Sequence, residues 1–120
     1  AMIGSDTICS EVKGPAHPRA YGSFIKPLAD FALRRQLISL EEAVHKQTGL
    51  TASVWKLEKK GLIRDGYDAD LVLLDETRLQ DTADFEDGTR IAQGIVGVYV
   101  GGELVYDGNR ITDARPGRCL

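Results

Sequence analysis

The chain has little of what small, special-purpose folds depend on. Its two cysteines, Cys9 and Cys119, stand far apart with no CxxC pair, which excludes a zinc ribbon and a disulfide framework; both are read as free thiols. It has only two histidines, His17 and His45, and a metal centre needs three or more well-placed ligands. No apolar run reaches the roughly 20 residues of a membrane-spanning helix, and no basic-then-apolar leader is read. No membrane partner is expected, and a cytoplasmic setting is the simplest reading. Positive charge is short as well: 15 Lys and Arg face 18 Asp and Glu, a formal charge of -3. With basic residues scattered among acidic ones there is no stripe to hold a phosphate backbone, so nucleic acid is not expected as a partner. There is no internal repeat and no low-complexity tract.

What is present reads as an ordinary globular chain with a mixed α and β pattern. Met2-Ile3-Gly4-Ser5-Asp6 opens with apolar residues that read as the end of a buried strand, so the chain is expected to start partway through a larger fold. Lys13 to Gly22 holds Pro15 and Pro18, and two X-Pro pairs push the backbone out of the helical region, predicting a loop.

Residues 27 to 60 read as helices. Pro27 suits a first helical position, and Leu28, Phe31 and Ala32 recur at helical spacing. Ser39-Leu40-Glu41-Glu42 is a capping box in which Ser39 accepts from the Glu42 N–H and the Glu42 side chain reaches back. The helix it starts has an apolar face of Leu40, Ala43 and Val44, a Glu42 to Lys46 pair and a left-handed stop at Gly49. A further short helix capped by Thr51 carries Ala52, Val54 and Trp55, ends at Gly61, and packs Trp55 with Leu57 in the core.

From Gly61 the period changes. Leu71-Val72-Leu73-Leu74 reads as a strand buried on both faces, and Asp75 to Thr89 as irregular surface with at most a turn of helix near Asp81 to Phe85. Ile95 to Val100 and Glu103 to Tyr106, joined by Gly101-Gly102, predict a hairpin with a primed turn. Gly101-Gly102 is a turn rather than a phosphate loop, because no helix N-terminus follows it.

Asp6 is the strongest candidate for chemistry. It ends a strand-like stub and opens a loop, where barrel enzymes place catalytic groups; the competing reading is a turn or cap residue. His17 lies in that loop beside Arg19 and Tyr21, placed to meet a substrate or to satisfy a carbonyl. His45 falls on a solvent face. Asp68 and Asp70 read as turn caps, with no third acid in register for calcium.

The order of these features resembles a known family. Met2 to Asp6, then His17-Pro18-Arg19-Ala20-Tyr21-Gly22-Ser23-Phe24, then Leu40 to Gly49, is similar to the last barrel segment of D-aminoacylases and related N-acyl-D-amino-acid deacylases. Gly61 to Asp75 resembles a segment shared by amidohydrolases broadly, dihydroorotases and hydantoinases included. Val100 to Val105 and Ala114 to Arg118 look like the family's closing hairpin and tail. The His-Pro-Arg-Ala-Tyr-Gly run points most specifically to the D-aminoacylase branch.

The resemblance implies an α+β fragment of the C-terminal part of such an enzyme. Residues 1–60 would be the end of a (β/α)8 barrel, with Asp6 on its last strand and closing helices after it. Residues 61–120 would be strands of the small β-sandwich. It implies zinc in the complete enzyme, held by a His-x-His pair and other groups that this chain lacks, and so no metal bound by this chain alone. It implies Asp6 as the metal-site acid/base, His17, Arg19 and Tyr21 near the substrate, and a small N-acylated D-amino acid as that substrate. Thr7 departs from the family's glycine after the Asp. Two other readings are carried forward: a non-catalytic β-rich module that pairs or exchanges strands with a second copy, and a fragment of a cyclic amidohydrolase.

Overall fold

A computed structural model describes residues 1–7 and 16–119; Cys9 lies outside them, while Cys119 is an exposed free thiol. The described chain runs from helices to a small sheet: α1 (Arg19–Gly22), a π-helix (Pro27–Arg34), α2 (Leu40–Gln47), α3 (Gly49–Trp55), then β1 (Leu71–Leu74), β2 (Ile95–Val100) and β3 (Glu103–Tyr106). None of these helices is long and apolar enough to cross a membrane.

The helical half follows its sequence signals with four corrections. Pro27 does occupy the first position of its helix, but the hydrogen bonds are wider than α: the Arg35 N–H donates to the Asp30 carbonyl five residues back, at 2.8 Å. At α2, Ser39 Oγ accepts from the Glu42 N–H at 3.0 Å, yet the Glu42 carboxylate turns to Lys46 Nζ at 3.2 Å instead of closing the box. Gly49 is not a left-handed stop; Thr48, at φ -126° and ψ -90°, makes the break and Gly49 opens α3. That helix ends before Gly61, at Lys56, which takes the left-handed φ of 54°. The Leu57 N–H then reaches the Ala52 carbonyl at 2.9 Å, a Schellman closure.

The sheet is antiparallel in the order β1-β2-β3. Gly101 and Gly102, at φ 57° and 82°, supply the primed turn that the sequence predicts, and Val100 pairs with Glu103 across it. β1 pairs with β2 alone, Val72 opposite Val98. The approach to β1 is held by charge: Lys60 Nζ sits between the carboxylates of Asp68, at 2.9 Å, and Asp70. Asp70 Oδ1 also accepts from the Gly101 N–H at 2.8 Å, and Arg118 reaches Asp68 at 2.9 Å. The expected local turn caps are therefore tertiary clamps joining the end of the helical half to the hairpin tip and the tail.

The core lies where the π-helix meets α2: Leu28, Ala32 and Ala43 are buried, with Ile25, Ile38, Leu40, Leu74 and Leu79 packed around them. Two burial expectations are overturned. Trp55, the last residue of α3, is 68% exposed, and Val72 and Leu73 are 58% and 54% exposed. β1 has one neighbouring strand and reaches the helical core with Leu74 at its end, so the residues before it lack a facing layer to bury them. The expected strand at Met2 to Asp6 is also not formed: the Ile3 N–H donates to the Lys46 carbonyl at 3.2 Å, and residues 1 to 7 make no sheet pairing.

Candidate active site

Two segments distant in sequence meet at Asp6. The first is the stub ending at Asp6, whose backbone takes a left-handed φ of 49°. Aspartate tolerates that conformation better than most residues, because its short side chain bonds locally, and non-glycine residues held there often mark functional positions. The second is the His17 to Gly22 segment, expected as loop, which forms a turn and then the single turn of α1. Pro18 itself sits in the helical region as its N-cap, so the X-Pro restriction falls on His17 and no further.

Arg19 Nη1 lies 3.7 Å from Asp6 Oδ2; the Asp6 side chain is 98% exposed and that of Arg19 46%. The carboxylate is thus open to an incoming group, with one guanidinium at its flank. His17 Nδ1 accepts from the Arg19 backbone N–H at 3.1 Å, which seats the imidazole beside the same arginine. Tyr21 is exposed and is anchored by its N–H on the Pro18 carbonyl at 3.1 Å. The structure therefore joins Asp6 to Arg19 directly and His17 to Arg19 through backbone, and carries Tyr21 on the same short turn.

Among the described residues no three His, Cys, Asp or Glu side chains gather to hold a metal ion. Among the described residues the carboxylate donors at this site amount to Asp6 alone, too few for zinc. His45, exposed on α2, takes no part.

Sequence reasoning missed what packs on this turn from below. The irregular stretch after β1 makes no helix; it is an excursion closed by a reciprocal bridge between Gln80 and Gln93, at 3.1 and 2.9 Å. Its Phe85 ring meets the His17 ring at 5.2 Å between centroids and 81° between planes. No local signal marks that contact, because the two residues are joined only by the fold. A cluster of ion pairs lies away from Asp6, around Lys60. Hydrogen bonds to Asp70 first and Asp68 second raise the pKa of Lys60. The same ammonium lowers both carboxyls, helped at Asp70 by the Gly101 N–H and at Asp68 by Arg118.

Comparison with known proteins bears on the resemblance. The chain is 45% identical over 104 residues to the N-acyl-D-aspartate deacylase of Alcaligenes xylosoxydans xylosoxydans, covering 87% of this chain and 21% of that protein. It is 42% identical over 119 residues to the D-aminoacylase of the same organism, covering 99% and 24%. Among solved structures, a D-aminoacylase variant in complex with copper chloride superimposes with a TM-score of 0.85 at 41% identity, over 87% of this chain and 22% of that one. The N-acyl-D-glutamate deacylase of Bordetella bronchiseptica, complexed with zinc and a phosphonate mimic of the tetrahedral intermediate, gives 0.81 at 36% identity, over 87% and 22%. The chain thus spans between a fifth and a quarter of the length of these relatives. A family model described as the amidohydrolase family matches residues 2–106, and the chain belongs to that family.

Proposed function

We propose that this chain is part of a metal-dependent amidohydrolase that cleaves the amide of N-acyl-D-amino acids. The observation that carries the proposal is the open Asp6 carboxylate flanked by Arg19 at 3.7 Å, in a chain 42% to 45% identical to enzymes named for that reaction. Asp6 accepts a proton from the water that attacks the amide carbon and returns it to the leaving nitrogen, as a general base and then acid. Arg19 offers its planar fork to the substrate carboxylate, and His17 and Tyr21 stand at the rim of the same turn. In the complete protein zinc would be held by groups outside this chain together with Asp6, and it would supply an activated water for the attack.

The barrel and sandwich organisation belongs to the same proposal. Its support is that helices occupy residues 19 to 55 and strands residues 71 to 106, with residues 1–60 assigned to the barrel end and 61–120 to the sandwich. The test is an assay of the complete zinc-loaded protein on N-acetyl-D-amino acids, their L-isomers and a hydantoin. Release of acetate from D-substrates alone is the expected result; ring opening of the hydantoin without deacylation would favour a cyclic amidohydrolase instead.

A second reading has its own observation. β1 is an edge strand with apolar residues open on both faces, a geometry that invites pairing between copies. In this reading the 120-residue chain by itself is a self-associating, non-catalytic module.

A further inference from the structure

Residues 81 to 92 form a loop that is both internally fixed and docked on the candidate site. Inside it, Asp84 Oδ1 accepts from the Glu86 and Asp87 N–H groups at 2.9 and 2.8 Å. Arg90 ties back to Asp84 at 2.6 Å and to Asp87 at 3.5 Å. Either side of Phe85 the loop touches the His17 turn, at Gly88 so closely that an added side chain would strike backbone. A Cβ on Gly22 would collide with the Asp81 carboxylate, and one on Gly88 with the Ala16 carbonyl. These two contacts bracket Phe85, whose ring lies 5.2 Å from that of His17, although Phe85 is 86% exposed and gains little from burial where it is.

The imidazole is fixed from the other side as well. Because Nδ1 accepts from the Arg19 N–H, the neutral ring carries its proton on Nε2, which makes that nitrogen a hydrogen-bond donor. We propose that Phe85 is a positioning residue that holds His17 with its Nε2–H as a donor to the substrate, beside the Arg19 fork and the Asp6 carboxylate. The inference rests on the deacylase reading, and it adds to it a residue from the sheet half of the chain. A perpendicular aromatic contact restrains the ring's tilt without taking either nitrogen, so the role needs an aromatic ring and no polar group.

The test uses the complete protein. Calorimetric titration of N-acetyl-D-amino acid into an Asp6→Asn background, where turnover is blocked, reads binding separately from chemistry. Phe85→Ala is expected to weaken binding about three- to tenfold and to raise KM by the same factor with kcat unchanged, while Phe85→Tyr restores both. In a His17→Ala background Phe85→Ala should have no further effect, the signature of two residues acting as one unit. Losses that add in the double variant, or unchanged binding in Phe85→Ala, would overturn the proposal while leaving the deacylase reading intact. If Phe85→Ala does not fold, Phe85→Leu, which keeps apolar bulk and loses the ring, carries the same comparison. A complete protein without deacylase activity overturns both.

Discussion

Arg19 and Asp6 face each other at 3.7 Å, one on α1 and the other at a left-handed turn of the stub. Both side chains are open to water, so the pair adds little to stability. Its consequence is directional: a fork of donors sits beside a carboxylate, as binding and proton transfer on an N-acylated amino acid require.

Replacing Arg19 tests the binding half of that arrangement. Arg19→Ala in the complete protein should raise KM by about 10- to 100-fold, the loss of a charge-assisted hydrogen bond of about 1.5–3 kcal/mol, with kcat little changed. Arg19→Lys should recover only part of the loss, since a point charge cannot fork. Unchanged KM in both variants would remove Arg19 from the substrate.

The Lys60 cluster predicts a pH dependence of stability. Asp68 and Asp70 have pKa values below the ordinary 3.8 in the folded chain. Their contribution is therefore present above 3.8 and lost as pH falls through the lowered folded values. Lys60 is raised above 10.5, so its contribution is present below 10.5 and lost as pH rises through its raised value. Thermal melts should be flat between these limits and drop in acid. Lys60→Met should reduce the acid drop, and an identical acid limb in that variant would contradict the clamp.

Two glycines separate conformational strain from collision. Gly61 and Gly101 both have left-handed φ, 79° and 57°, which costs a side chain about 1–2 kcal/mol. A Cβ at Gly101 meets open space, whereas one at Gly61 would lie 2.7 Å from Ala52 Cβ. Chemical denaturation should therefore show Gly61→Ala more destabilising than Gly101→Ala. Equal losses would mean that the packing of Gly61 on α3 is looser than described.

Much of this was legible in the sequence wherever the cause is local. Ser39 caps α2 because its hydroxyl is three residues from the Glu42 N–H, and Gly101-Gly102 turns the hairpin because both must take positive φ. The resemblance carried by His17 to Gly22 identified the family. Where the cause is tertiary, local reasoning failed. Trp55 and Val72 were expected inside because they are apolar, but burial needs a facing layer. Asp68 and Asp70 looked like turn caps, yet their partners lie at Lys60, Gly101 and Arg118. Phe85 gave no signal at all, since only the docking of its loop brings it to His17.

The open faces of β1 predict behaviour for the 120-residue chain alone. Light scattering should show mass rising with concentration, and Leu73→Lys should suppress the rise by placing charge on the edge strand. A monomer at all concentrations would argue against the self-association reading.

The proposed reaction turns on the Asp6 carboxylate, and the direct measurement is kcat of the complete zinc-loaded protein carrying Asp6→Asn, with an N-acetyl-D-amino acid as substrate. Loss of the proton-transfer group should lower kcat by about 100- to 10,000-fold while the substrate still binds. A kcat within a few-fold of the unsubstituted protein would contradict the assignment.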